Sequence, residues 1–299
     1  MDFDRNHVFE YASAESVAPG LLRVTAPNPG PLTFHGTGTY LIGNPPTAMI
    51  DPGPPIVDHA NALMTALNGQ PLAHIVVTHG HNDHAGLAAM MKTLTGAAIA
   101  AFDFGASDQN THQDVNLAGE TENHDFITDI PLTDGSVIEG PGYRLEAVHT
   151  PGHTGDHLCF VDHAERRVFC GDHIMAWSTT VILPPDGHVG RYIESLERLL
   201  EFEDFVFWPT HGPPVKKPAT WIRQLIAHRE ERQLQIVSAL TEQPVSADVL
   251  LKTVYRDLPP NLTGAALQSL LAGLNWLIEQ GQALIIENET RSQKLYYRG

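Results

Sequence analysis

"VTHGHNDHAG", Val77–Gly86, places His79, His81, Asp83 and His84 inside six residues. An apolar, β-branched run, "AHIVVT" (73–78), leads into it, and a helical pattern, "AGLAAMMKTLTG" (85–96), leaves it with Gly96 as a natural stop. The spacing predicts a strand-to-helix turn, where side chains at short separations converge without the period of a regular element. Imidazole and carboxylate donors together suit zinc first, with iron, manganese and cobalt as alternatives. Four adjacent donors exceed what one catalytic zinc usually takes from one loop.

Three downstream segments extend the pattern. "HTPGHTGDH" offers His153, "VFCGDHIM" offers Asp172 and "FWPTHGPP" offers His211, each just past an apolar or β-branched run. The donors then number five histidines and two aspartates, enough for two divalent ions that share one carboxylate. His173 adjoins Asp172 but reads as facing the other way, since neighbours on a strand point to opposite sides, and His157 reads as a loop residue or as a support behind a ligand.

Around these loops, from about Leu21 to Pro214, short β-branched runs such as "TAMID", "AIAAF", "LCFVD" and "RRVFCGD" alternate with Gly- and Pro-rich loops and a helical stretch, "VDHANALMTALNG". This pattern predicts an α/β layered domain over residues 1–218. Beyond Pro218 the character changes. Helical patterns run over Trp221–Thr241, from Ser246 through "SADVLLKTVYRDL", and over Thr263–Gln280, and "ALIIENETRSQKLYY" reads as a hairpin. Three helices and a hairpin predict a winged-helix-like domain over 219–299. DNA is not its expected ligand, because the candidate recognition helix, Thr263–Gln280, carries no Lys or Arg.

The 299 residues hold 18 Lys and Arg against 35 Asp and Glu, a formal charge of −17, which disfavours polyanions unless a bound dication reverses the local field. Lys216, Lys217, Arg223 and Arg229 form the one modest basic zone and read as a solvated face. The start, "MDFDRNHVFEYASAES", has no apolar leader core and no stretch of membrane-spanning length follows, so a cytoplasmic chain without a membrane partner is expected. Cys159 and Cys170 read as two reduced core thiols.

The ordered set H-x-H-x-D-H, later His, later Asp and final His resembles the metallo-β-lactamase superfamily. The resemblance implies an αββα sandwich in which His79, His81 and His153 hold one metal, Asp83, His84 and His211 hold a second, and Asp172 bridges them. "NPGPLTFHGTGTYLIG", "TPGHTGDH", "GDHIMAWSTT" and "THGPPV" before a winged-helix tail are similar to the lactamase-β-like family, which includes hydrolases and a single-strand-specific endoribonuclease. Gly38 departs from that family's pattern, which has Asn there, and Leu87 stands where many relatives have a second glycine.

Two cations about 3.5–4 Å apart can lower the pKa of a bridging water and polarise the electrophile that the resulting hydroxide attacks. The expectation is a dinuclear metal-dependent hydrolase of a small ester, thioester, amide or lactone, with RNA cleavage as the alternative and a homodimer as one arrangement. Asp83 would also orient the hydroxide. Asp51, in "AMIDPGP", would accept from a ligand imidazole by the same resemblance, or cap the turn before Pro52 and Gly53. The loop after Asp172 offers Trp177, Ser178, Thr179, Thr180 and His188 as substrate contacts, or as ordinary loop packing.

Overall fold

A computed structural model describes residues 1–43, 45–103, 126–256, 262–288 and 293–299. One compact unit comprises Met1–Thr150, Asp156–Thr180 and Leu200–Ala219. Its first sheet holds β1 (Ala14–Ala18), β2 (Leu21–Thr25), β3 (Gly38–Gly43), β4 (Pro46–Ile50), β5 (His74–Val76), β6 (Ala98–Phe102) and β7 (Ile130–Leu132), in that order. Pairing is antiparallel from β1 to β4 and parallel from β4 to β7. The second sheet runs β8 (Val137–Gly140), β9 (Tyr143–His149), β10 (Leu158–Asp162), β11 (Arg167–Gly171) and β12 (Val206–Pro209), with the last pair parallel. Helices α1 (Val57–Leu67), α2 (Asn82–Ala85) and α3 (Ala88–Thr95) belong to the same unit.

The two-residue period of the strands sorts their side chains between two cores. Leu41, Met49, Ile75 and Ile99 pack with Leu63 of α1 and Met91 of α3, whereas Tyr40, Ile42, Ile50 and Val76 pack with Leu145, Leu158, Phe160 and Phe169 of the second sheet. The first sheet is therefore apolar on both faces, as the unbroken apolar runs of β3 and β4 require. Each fully buried Leu, Ile or Val contributes about 1.5–3 kcal/mol relative to exposure. The layers leave the carboxyl ends of β4, β5, β11 and β12 to carry the polar segments, and Asp51, Thr78–His84, Asp172 and His211 all follow those ends.

The turn after β5 differs from expectation. The helix predicted over 85–96 is broken: α2 begins already at Asn82, so Asp83 and His84 stand on a helical turn. His81 stays extended (φ −61°, ψ 142°), and its carbonyl accepts the N–H groups of His84 and Ala85. At the break, Gly53 N–H donates to His84 O and Leu87 N–H to Gly53 O, tying the helix junction to the turn after β4. Strand β1 (AESVA) has no fully buried position, and β7 and β8 hold only three and four residues, so none carries an apolar pattern that can be read from sequence. No disulfide is formed, and Cys159 and Cys170 are buried thiols.

The second compact unit consists of Pro151–Gly155, Val181–Leu199 and Thr220–Gly299. A single cut near Pro218 assigns the first two segments to the preceding domain, whereas their contacts group them with the tail. Here lie α4 (Val189–Leu199), read from sequence as the end of a loop, then α5 (Pro218–Ala239, which starts at the boundary), β13 (Val245–Ser246), α6 (Ala247–Val254), α7 (Thr263–Glu279), β14 (Ala283–Asn288) and β15 (Gln293–Arg298). The sheet order is β13-β15-β14, and Ile236, Leu250, Leu270 and Leu274 form a core with Ala283 and Tyr296. Helices α5, α6 and α7 with the β14–β15 hairpin are the three-helix and hairpin composition that the sequence predicts. The hairpin turn 289–292, and Asp257 and Leu258 at the end of the second predicted helix, lie outside the described residues. Within this unit Arg229 is buried against the Tyr192 ring, 5.1 Å from its centroid, and so leaves the basic zone, while Arg223 is exposed; Lys216 and Lys217, in the first unit, are exposed as well. Among the described residues no helix is long and apolar enough to cross a membrane.

Candidate metal centre

The strand-end segments of the first unit meet in two overlapping donor groups, His79 with His84 and Asp172, and Asp83 with His84 and His211; within each group the donor atoms lie within 4.8 Å of one another. His79 Nε2 and His81 Nδ1 are 2.9 Å apart. His84 Nε2 is 3.5 Å from Asp172 Oδ1 and 3.8 Å from Asp83 Oδ2. His211 Nε2 is 3.1 Å from Asp83 Oδ2 and 3.5 Å from Asp172 Oδ1.

The outer ring nitrogens are anchored. His84 Nδ1–H donates to Asp51 Oδ2 at 2.8 Å. Thr78 Oγ1 donates to the same oxygen at 2.8 Å, which leaves its lone pair for His79 Nδ1–H at 3.1 Å. Thr210 Oγ1 adds a third donor to Asp51 Oδ2 at 2.7 Å, while Asp51 Oδ1 takes the Thr78 N–H at 2.8 Å. His211 Nδ1 faces Gly36 O at 3.3 Å. Fixing one nitrogen sets the tautomer and turns the lone pair of the other inward, the usual arrangement of metal-ligating imidazoles. Asp51 thus touches His84 directly, and its left-handed backbone (φ 49°) matches the turn before Pro52 and Gly53 as well.

Burial alone would push the His84 imidazole down, but the carboxylates of Asp172, Asp83 and Asp51 outweigh it and hold His84 well above the ordinary histidine value. His211 is raised in the same way, against its own burial, by Asp172 and Asp83. Burial would raise Asp83, yet His84 and His211, with His81, draw it far below the usual carboxylate range. His84 Nε2 and His211 Nε2 are buried without a hydrogen-bond partner, which neutral side chains in a finished core rarely show. Converging imidazole nitrogens, two of them unpartnered, together with carboxylate oxygens fit a divalent cation.

His153 belongs to the second unit, where its Nδ1 meets the Val181 carbonyl at 2.7 Å. Its segment is short, and Asp156, just after it, accepts the Gly80 N–H at 2.8 Å between His79 and His81. His157 and His173 stay outside both donor groups. His157 Nε2 accepts the Asp172 N–H at 3.3 Å and its Nδ1 faces Thr150 Oγ1, so it holds the backbone of Asp172.

The loop candidates separate. Trp177 is nine-tenths buried, stacked on Phe34 with ring centroids 4.7 Å apart and planes at 11°. Thr180 is buried, and its hydroxyl engages the carbonyls of Asp172 and His173 at 2.8 and 2.9 Å. That makes Thr180 a brace for the aspartate. Ser178 and Thr179 are half-buried, with Ser178 Oγ donating to Thr179 O. His188, in the second unit, accepts the Arg191 N–H through Nδ1 at 3.1 Å and meets Glu279 through Nε2 at 2.7 Å, so both ring nitrogens are engaged.

Sequence reasoning missed Thr78, Thr210 and Asp156 as supports of the centre. A signal was present for the first pair: "THGH" and "THGP" both open with Thr-His, and both threonines donate to one oxygen of Asp51.

Comparison with known proteins agrees with this geometry. The metallo-beta-lactamase superfamily profile matches residues 32–211, and that of the beta-lactamase associated winged helix domain matches 246–288. The chain is 28% identical over 294 residues to a beta-lactamase-like protein 2 homolog of Drosophila melanogaster, covering 92% of this chain and 94% of the relative. It is 27% identical over 231 residues to the atrochrysone carboxyl ACP thioesterase of a Cryptosporiopsis strain, covering 76% and 65%. A beta-lactamase domain protein from Burkholderia ambifaria has a similar solved structure, with a TM-score of 0.81 at 22% identity over 98% of this chain and 96% of that one.

Proposed function

Since this chain belongs to the metallo-β-lactamase superfamily, with a beta-lactamase associated winged helix domain in its tail, we propose that it is a dinuclear metal-dependent hydrolase of a small ester, thioester, amide or lactone. The observation that carries the reading is the pair of buried, unpartnered nitrogens, His84 Nε2 and His211 Nε2, aimed at the carboxylates of Asp83 and Asp172. His79, His81 and His153 would hold one divalent ion, Asp83, His84 and His211 the other, and Asp172 both. Zinc is the first choice for these donors, with iron or manganese as alternatives. Such ions, when bound, act as Lewis acids on a carbonyl oxygen and bring the pKa of a water toward neutrality.

The chain's own residues do the rest. Asp51, Thr78 and Thr210 fix the imidazoles before any ligand arrives. The Asp83 side chain keeps 27% of its surface exposed against 11% for Asp172, so Asp83 is the carboxylate that solvent and substrate reach. Kept ionised by His84 and His211, it is the acceptor whose hydrogen bond orients a nucleophilic water. A thioester is the favoured substrate within the acyl class, supported by the thioesterase relative.

Metal analysis of the purified chain should find close to two equivalents. A panel of thioesters, esters, lactones and single-stranded RNA should show acyl hydrolysis that Asp83→Asn lowers by about 100-fold or more, together with loss of one metal. Hydrolysis of RNA but of no acyl substrate, abolished by Asp83→Asn, would overturn the acyl reading; a chain that takes up no zinc, iron or manganese would overturn the metal reading.

A further inference from the structure

The His211 ring is held less directly than that of His84. Its Nδ1 lies 3.3 Å from Gly36 O, against 2.8 Å for His84 on Asp51. Its backbone, by contrast, is gripped on both sides. Arg23, only 2% exposed, donates through Nη1 to Gly212 O at 2.7 Å and through Nη2 to Thr210 O at 3.2 Å. Tyr40 Oη donates to Pro209 O at 2.7 Å, and the Arg23 guanidinium lies over the Tyr40 ring, 5.5 Å from its centroid.

Burying a guanidinium is expensive, and buried cations ordinarily pair with carboxylates. Arg23 has no carboxylate partner among the described residues. Its companions are the two loop carbonyls, the Tyr40 ring and His7 Nε2 at 3.2 Å, and burial and Arg23 together push His7 down to about 4, so that it accepts as a neutral ring. A fork of fixed planar geometry that spans the carbonyls before and after one residue constrains that residue's backbone in a way an ammonium cannot. Space for the fork comes from Gly38: a Cβ there would fall within the guanidinium, with Cζ 2.6 Å away.

We propose that Arg23 is the positioning residue for His211: its guanidinium, admitted by Gly38, clamps the turn Pro209–Gly212 and sets where His211 Nε2 stands. This rests on His211 being a metal ligand, and the test separates the two ideas. Zinc binding by the full chain is titrated against a competing chelator, with circular dichroism and thermal unfolding in parallel. His211→Ala first identifies the binding step that depends on His211; if it abolishes none, the ligand reading and this inference fall together. If it abolishes one, Arg23→Lys, which keeps the charge but not the fork, should weaken that step by about tenfold or more and the other by less than twofold. Gly38→Ala should reproduce the defect with the arginine present. An unchanged His211 step in folded Arg23→Lys, equal weakening of both steps, or failure of both Arg23→Lys and Gly38→Ala to fold would each overturn the role.

Discussion

Asp51 gathers most of the order in the centre at a single residue. Asp51→Asn removes a charged acceptor of three side-chain donors, of which His84 is one, and should lower metal affinity by about 10–100-fold while far-ultraviolet dichroism stays native. Chelator competition against the unmodified chain measures this. Metal uptake should also depend on pH with a definite sign. His84 and His211 are raised above the ordinary histidine value, so a cation must displace their protons, and affinity should rise with pH from about 5 to 8 with proton release visible in a weakly buffered titration. The metal-free protein should show the opposite trend: the imidazolium contacts stabilise below the unfolded histidine value and are lost as pH rises through the raised one. The ligands themselves were legible at this scale because unlike donors at fixed spacing betray their chemistry. Thr78 and Thr210 were not, since a hydroxyl that serves a ligand from behind has no spacing rule of its own.

Elements were legible where one period dominates. The apolar runs of β3 through β6 and the long pattern of α5 stand in the sequence much as they stand in the fold, whereas β1, with no fully buried position, and the short β7 and β8 carry no sustained apolar run. The breaking of the predicted helix after His84 followed from contacts with Gly53, a partner remote in sequence. Tertiary bonds decided it. The bend where β11 hands the chain to Asp172 depends on Gly171, whose φ is 48°; an added Cβ would lie 2.6 Å from His157 Nε2 and 2.9 Å from Thr78 Oγ1. Gly171→Ala should therefore cost about 1–3 kcal/mol in urea unfolding, from backbone strain and crowding together. A variant as stable as the parent would mean that this bend relaxes freely.

At the scale of the molecule, the chain has two compact units with separate apolar cores, and the donors His79, His81, Asp83, His84, Asp172 and His211 all lie in one. Heating should accordingly resolve more than a single two-state transition. A chelator should lower the transition of the unit that holds six of the seven proposed ligands, by about 2.7 kcal/mol of stabilisation lost for metal at a hundred times its dissociation constant. Differential scanning calorimetry with and without chelator reads both. Composition foresaw a packed protein and the change of character near Pro218; it could not foresee that Pro151–Gly155 and Val181–Leu199 group with the tail, because membership of a core is a long-range property.

One carboxylate oxygen, Asp51 Oδ2, receives Thr78 and His84 from one turn and Thr210 from another far along the sequence. Under drift these positions do not change independently. A threonine lost at 78 alters the worth of the threonine at 210, since the remaining donors redistribute around the same lone pairs, and the background decides whether a replacement is tolerated. The Thr-His pairs are thus heritable as a set, and a descendant that alters the aspartate must find a new acceptor for all three partners together.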